Sequence, residues 1–317
     1  MGHAGFDSAT KNFWRILTSR GGWCARDRAG NLVGVVVVNP GRRPFAVELR
    51  HTAGRRTTRR MPGPHRSGLI VGMTDWSQLE HAYGSAENVP ALLDRLVPDP
   101  SAEVWGDLWS CLCHQATVYP ASFAALPRLT KIAGSWAPAD RAMILALCGS
   151  IVAGARQSHG AGDVRTTYAA EIEELLRLTN ESMRTPTEEG TFIYLLQAAL
   201  AFENVPVWDT MLDALVQGEY ELEHCPGCAA HLFVVIGARG FFVASGDYAR
   251  EDGVPKGELT PTVPSELDDV ARRSYDTAND LGQEDLASKL LYLCGNATCP
   301  DCGTTFVVID QIPGEYG

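Results

Sequence analysis

Two stretches of the chain repeat one another: "CPGCAAHLFVVI" from Cys225 to Ile236 and "CPDCGTTFVVI" from Cys299 to Ile309, with seventy residues (229–298) between the cysteine pairs. One Cys-x-x-Cys pair supplies two thiolates from a single turn, and a tetrahedral metal site takes four. Cys225, Cys228, Cys299 and Cys302 therefore describe a single closed four-thiolate centre that leaves no coordination position for a substrate. Zinc in a structural role is the expected ion. Iron is satisfied by the same four thiolates, and residue types alone do not choose between the two.

Other chemistry written with Cys-x-x-Cys fits less well. A redox pair of the thioredoxin kind has its thiolate activated at a helix N-terminus, whereas "AAHLFVVI" after Cys228 reads as a strand. A nucleobase deaminase needs His-x-Glu and a Cys-x-x-Cys that follows proline, and the chain contains neither. Both segments do resemble the zinc-ribbon or rubredoxin-type knuckle, in which the chain turns tightly after the first cysteine and enters a strand. Gly303 in "CPDCG" sits where that knuckle places its turn glycine; "CPGCA" has Ala229 there, a departure that bears on the geometry of the first turn rather than on the ligands. Ordinary ribbons separate their pairs by roughly 15 to 20 residues, so the longer gap predicts a helical insertion between two halves of one ribbon. Cys294, at the end of an apolar helix, is expected to be a buried thiol, and His224 and His231 to be neighbours of the ligands or surface groups.

No catalytic signature accompanies this centre. The chain has no GxxxxGK[ST] phosphate loop, no GxGxxG, no HExxH and no GxSxG turn. One polar cluster stands out, "CHQATVYPAS", with His114, Gln115, Thr117 and Tyr119 between two strong helical patterns. Its structural reading is a helix end whose last carbonyls are covered by His114 and Gln115, with Pro120 opening the next helix. Its functional readings are a recognition surface, or an enzyme site of unfamiliar type around His114 and Tyr119. The loop around His159 has a weaker claim.

The elements that must hold these residues fall into three regions, 1–72, 73–217 and 218–317. Residues 1–72 carry 13 Lys/Arg against three acids, while residues 73–317 carry 14 against 35, so a chain of net charge -11 divides into a basic segment and a strongly acidic body. The basic segment includes "RHTAGRRTTRRMPGPHRSG", and within it only residues 31–49, with a central Asn-Pro-Gly, read as a hairpin. It reads as a poorly ordered arm, a targeting segment, or an extension upstream of a natural start at Met73, where an amphipathic pattern begins.

Residues 73–217 show helical periodicity with short breaks. Trp105, Trp109 and Leu112 share one face; Tyr168, Ile172, Leu175 and Leu176 form an apolar stripe; "RAMILALCGSIVAGA" is apolar almost all round, as for a helix enclosed by neighbours. The stretches "ENVPALLDRLV" (87–97) and "ENVPVWDTMLDALV" (203–216) echo each other, each with proline where a helix would start. On these residues the region resembles the HEAT-like α-solenoids, which implies stacked helix pairs around a continuous core. Residues 218–317 alternate strand-like runs ("HLFVVIG", "GFFVAS", "TTFVVIDQI") with two helical ones.

The expected fold is mainly α: a solenoid-like helical domain followed by a small α+β zinc-ribbon domain. Nine cysteines, an odd number, with no signal-peptide core and no apolar run near the roughly 18 to 20 residues of a membrane span, point to reduced thiols in the cytoplasm. The acidic body disfavours nucleic acid as a partner of residues 73–317, and the knuckles themselves hold no Lys or Arg to support a zinc-ribbon contact with nucleic acid. A basic protein is the expected partner and a non-enzymatic, immunity- or antitoxin-like binding module the expected role.

Overall fold

The computed structural model describes residues 22–26, 32–37, 74–157, 159–250 and 253–312. Within residues 14–75, which cluster as a separate unit, Gly22–Arg26 (β1) pairs antiparallel with Leu32–Val37 (β2), Gly22 opposite Val37. The first strand of the hairpin expected around Asn39-Pro40-Gly41 is thus paired with the segment before it. Residues 38–49 and Met73 lie outside the described residues.

From Trp76 onward the described residues form one compact unit. It opens with the small hairpin Glu80–His81 (β3) and Gly84–Ser85 (β4), then Val89–Asp94 (α1) and Val104–Leu112 (α2). A second small hairpin, Cys113–His114 (β5) with Thr117–Val118 (β6), leads into Pro120–Ser135 (α3). Ala142–Ala153 (α4), Ala169–Met183 (α5) and Glu189–Phe202 (α6) follow. The apolar pattern of α4 is explained by its place: it packs on α3, α5 and α6, and ten of its twelve residues are buried. In α5 the buried stripe runs through Ile172, Leu175, Leu178, Ser182 and Met183, which leaves the acidic face to solvent and Leu176 only half-buried.

Three arginines of this layer are tied to carbonyls or carboxylates. Arg141 is buried and its Nε donates to the carbonyls of Ala133 and Trp136, closing the end of α3, while its terminal nitrogen reaches Glu181 at 2.7 Å. Arg165 does the same for the end of α6, donating to the carbonyls of Ala201 and Phe202. Arg156, just beyond α4, forms a two-pronged pair with the buried carboxylate of Asp209 at 2.7 and 2.8 Å. A planar fork of this kind satisfies both carboxylate oxygens at once.

The C-terminal region overturns the expectation of a mainly α protein with a solenoid and a small ribbon. Past the helices the chain enters a six-stranded antiparallel sheet curled into a half-barrel, in the order β12-β11-β10-β9-β8-β7. Its strands are Glu219–Leu222 (β7), Leu232–Gly237 (β8), Gly240–Ala244 (β9), Lys256–Thr260 (β10), Asn296–Thr298 (β11) and Thr305–Val307 (β12). Asp269–Asp280 (α7) and Glu284–Leu293 (α8) lie between β10 and β11, so the segment between the cysteine pairs contributes strands to the sheet as well as two helices. The helical layer stacks α3 and α4 against α5 and α6, then stops, short of the three or more repeats that a self-supporting array needs.

The sheet region closes that open end. α8 buries Leu286, Leu290 and Leu293, and packs on both β8 and α6. Lys289 of α8 is ion-paired with Glu189 of α6, and Arg273 of α7 with Glu203 at 2.5 Å. The two "ENVP" stretches also part company. The first forms α1, whereas in the second Asn204 and Val207 take positive φ (61° and 71°), and the chain forms only short helical turns such as Trp208–Met211. The echo is one of wording, and it does not mark a structural repeat.

Candidate metal centre

The four cysteines lie in the turns of the two outermost hairpins of the sheet. Cys225 and Cys228 sit between β7 and β8, Cys299 and Cys302 between β11 and β12. Counted across a flat sheet, β8 and β11 would stand three strand spacings apart, about 14 Å. The curl of the half-barrel brings the hairpin ends together instead. Cys225 Sγ lies 3.8 Å from Cys302 Sγ, Cys228 Sγ 3.9 Å from Cys299 Sγ, and all four sulfurs fall within 4.8 Å of one another. A metal about 2.3 Å from each of four tetrahedral thiolates places neighbouring sulfurs about 3.8 Å apart. The cluster is thus able to hold one metal ion with little rearrangement.

The two knuckles are built alike, residue for residue. In the first, the Cys225 amide donates to the Ala230 carbonyl (2.7 Å) and the Ala229 amide to the Cys225 carbonyl (2.9 Å). In the second, Cys299 donates to Thr304 (2.9 Å) and Gly303 to Cys299 (3.0 Å). Each closing residue must enter the left-handed region, and Ala229 does so at φ 59° where Gly303 has 75°. The alanine therefore does not prevent the first turn. It makes the same turn at the steric cost of a Cβ.

Backbone amides also face the sulfurs. Gly227 donates to Cys225 Sγ (3.4 Å), Ala230 to Cys228, Asp301 to Cys299 and Thr304 to Cys302, in each case the residue two places on. Such bonds favour the charged thiolate. At Cys302 the Thr304 hydroxyl, 3.2 Å from the sulfur, joins the amide, and together they bring the thiol down to about 6. At Cys228 the Ala230 amide favours the thiolate but the hydrogen bonds with Cys302, Cys225 and Cys299 prevail, and the thiol is pushed up to about 12. Burial raises Cys299. Four thiols held this close resist losing all their protons together, and a dication among them removes that repulsion.

The halves touch outside the sulfurs as well. Ser245 donates to Asp301 at 2.7 Å, and Gly227 lies so near Thr304 that a Cβ at 227 would fall 2.0 Å from its Oγ1. Thr304, Gly227 and Ala230 were not singled out by sequence reasoning. Their signal is positional, each lying two residues after a cysteine. Cys294 caps α8 outside the four-sulfur group, half-buried, its thiol pushed up to about 12 by burial. His231 pairs with Glu221 (2.9 Å) and packs edge-on against Phe233; His224 is exposed.

The second marked cluster joins two helices through a small hairpin, and Pro120 opens α3 as expected. His114 and Thr117 face each other in the β5–β6 hairpin, and Gln115 and Ala116 form its two-residue turn with φ 49° and 61°. The last carbonyl of α2, Leu112, is covered by the Ser122 hydroxyl at 2.6 Å rather than by His114 or Gln115. Ser122 also accepts from the amide of Tyr119, which precedes α3. Gln157 secures the hairpin, donating to the Ala116 carbonyl at 2.8 Å. His114 meets Tyr83, an exposed residue of the β3–β4 turn, with Nδ1 3.2 Å from its hydroxyl. Of the four marked residues, His114 meets Tyr83, Gln115 and Thr117 belong to the same hairpin as His114, and Tyr119 is the residue before α3. His159 is occupied structurally, bonded to Ala155 and Ala161 and set against Phe123.

Among the described residues no helix is long and apolar enough to cross a membrane. Comparisons of the chain with protein-family models, with curated proteins and with solved structures return no match.

Proposed function

We propose that this chain is a non-enzymatic protein-binding module whose sheet is clasped by one structural zinc ion on Cys225, Cys228, Cys299 and Cys302. The observation that carries the metal reading is the set of four sulfurs at tetrahedral spacing, drawn from two hairpins far apart in sequence. Thiolates alone favour zinc or iron over harder cations, and a closed set of four supplies binding energy rather than a reaction centre. The experiment is elemental analysis of the purified chain and of Cys299→Ser. About one zinc per chain, lost in the variant together with thermal stability, supports the reading. No metal, one iron, or two ions per chain overturns it.

The partner reading rests on charge. With 14 Lys/Arg against 35 acids, residues 73–317 would attract a basic protein surface, the hairpin tips around Tyr83 and His114 would be one place to meet it, and an immunity- or antitoxin-like role would suit that chemistry. Association with such a partner should slow as salt is added. Binding indifferent to ionic strength would sink this part of the proposal and leave the metal reading standing.

A further inference from the structure

Each knuckle of the clasp presents one exposed cysteine and one buried cysteine: Cys228 and Cys302 are exposed, Cys225 and Cys299 buried. Across the gap the contacts are crossed. Exposed Cys302 lies 3.8 Å from buried Cys225, and exposed Cys228 lies 3.9 Å from buried Cys299. An accessible thiolate beside a second thiolate is the arrangement in which oxidation ends in a disulfide rather than in over-oxidised sulfur.

We infer that the clasp is a peroxide-reactive modification site with a second, metal-free closed form, joined by the disulfides Cys225–Cys302 and Cys228–Cys299. The electrons balance without a further reagent. The exposed thiolate attacks one peroxide oxygen, the O–O bond breaks, and with one proton the products are a sulfenic acid and water. The buried thiolate of the opposite knuckle then attacks that sulfur, the S–O bond breaks, and the oxygen leaves as a second water on taking another proton. Two thiolates have given two electrons to one peroxide, and a second peroxide serves the other pair. Zinc leaves as the dication it was, since it takes no part in electron transfer.

The crossed pairs are the ones at 3.8 and 3.9 Å, and the backbone favours joining across the gap over joining within a knuckle. The hydrogen bonds of each knuckle hold its own turn closed, Ala229 to Cys225 in one and Gly303 to Cys299 in the other, so joining sulfurs across the gap leaves both turns and the curl of the sheet in place. Oxidation would then replace one clasp by another. Removal of zinc by a chelator under reducing conditions should instead let the two hairpins part.

The inference rests on the metal reading for the release of zinc, and its covalent part is read separately. The full-length, zinc-loaded chain is treated with two equivalents of hydrogen peroxide. Zinc release is followed with a metal-sensitive dye, disulfides are mapped by peptide mass spectrometry without reduction, and melting is compared among loaded, oxidised and chelated reduced samples. The expected result is release of zinc, the two crossed disulfides, and an oxidised protein that melts closer to the loaded form than to the chelated one. Disulfides within a knuckle, sulfinic acids without disulfides, or an oxidised protein no more stable than the chelated one would overturn it. A chain that carries no zinc but still forms the crossed pairs refutes the metal reading and leaves the disulfide assignment intact.

Discussion

The helical layer and the curled sheet of this protein are held together in different ways. In the layer, α4 is enclosed by α3, α5 and α6, and its stability is spread over many side chains such as Phe123, Leu145, Ile151 and Phe192, each fully buried. In the sheet, the outer hairpins meet through four sulfur atoms contributed from positions up to 77 residues apart. Distributed burial loses only the share of the residue that changes, about 2 to 5 kcal/mol for one large core side chain. A clasp concentrates its loss, because a metal site with three thiolates and a hydroxyl no longer offsets the ordering of a long loop.

The largest test of that contrast is removal of the metal. Structural zinc contributes on the order of 10 kcal/mol in small zinc domains, and here the packing of α8 on β8 and α6 retains part of the sheet's hold without it. Chelation of the reduced protein, or Cys299→Ser, should abolish the cooperative melting of the sheet while hydrogen exchange in α4 and α6 stays slow. Acid should act in the same direction, since protons compete with zinc for each thiolate. Uniform loss of protection across both regions would show that the layer and the sheet fold as a single unit and would end the comparison.

A smaller effect should come from the helical side. Asp209 is the buried half of the Arg156 pair, and Asp209→Ala removes the carboxylate that the guanidinium grips from both sides of its fork. The expected loss is about 3 to 5 kcal/mol, measured by urea denaturation of the zinc-loaded protein. Its metal content should be unchanged. If Asp209→Ala also sheds zinc, the contact between layer and sheet through α8 couples the two far more tightly than the packing implies.

How far the sequence disclosed these arrangements depends on how local the determining interactions are. The knuckles were legible because cysteine spacing states the coordination chemistry directly, and the runs that became β8, β9, α7 and α8 were legible from their periodicity. The extent of the sheet was not. "EYEL" alternates but has only four residues, "KGELT" and "NAT" carry little alternation, and the three become β7, β10 and β11 through pairing with partners elsewhere, Leu259 opposite Ala297 for example. The β5–β6 hairpin was hidden for a different reason. Its turn puts Gln115 and Ala116, rather than Asn or Gly, at positive φ, and what holds it there includes Gln157 from another segment.

The smallest test compares the two knuckles with each other. Placing a residue with a Cβ in the left-handed region costs roughly 1 to 2 kcal/mol, while glycine loses roughly 0.4 to 1 kcal/mol through the greater freedom of its unfolded chain. Ala229→Gly should therefore stabilise the loaded protein by about 1 kcal/mol or less, and Gly303→Ala should destabilise it by a similar amount. The second change is a clean probe, because nothing lies within 4 Å of where the new Cβ would stand and only the backbone angle is challenged. Made together, the two changes move the strained turn from the first hairpin to the second, and chemical denaturation should find the sum near zero. A large residual would mean that the two turns are mechanically unequal: the edge carrying β11 and β12, whose strands have three residues each, would depend on its knuckle more than the edge where β8 has six. In that case the glycine of the second knuckle is where the clasp needs it, and the alanine of the first is tolerated because a longer strand holds the turn in place.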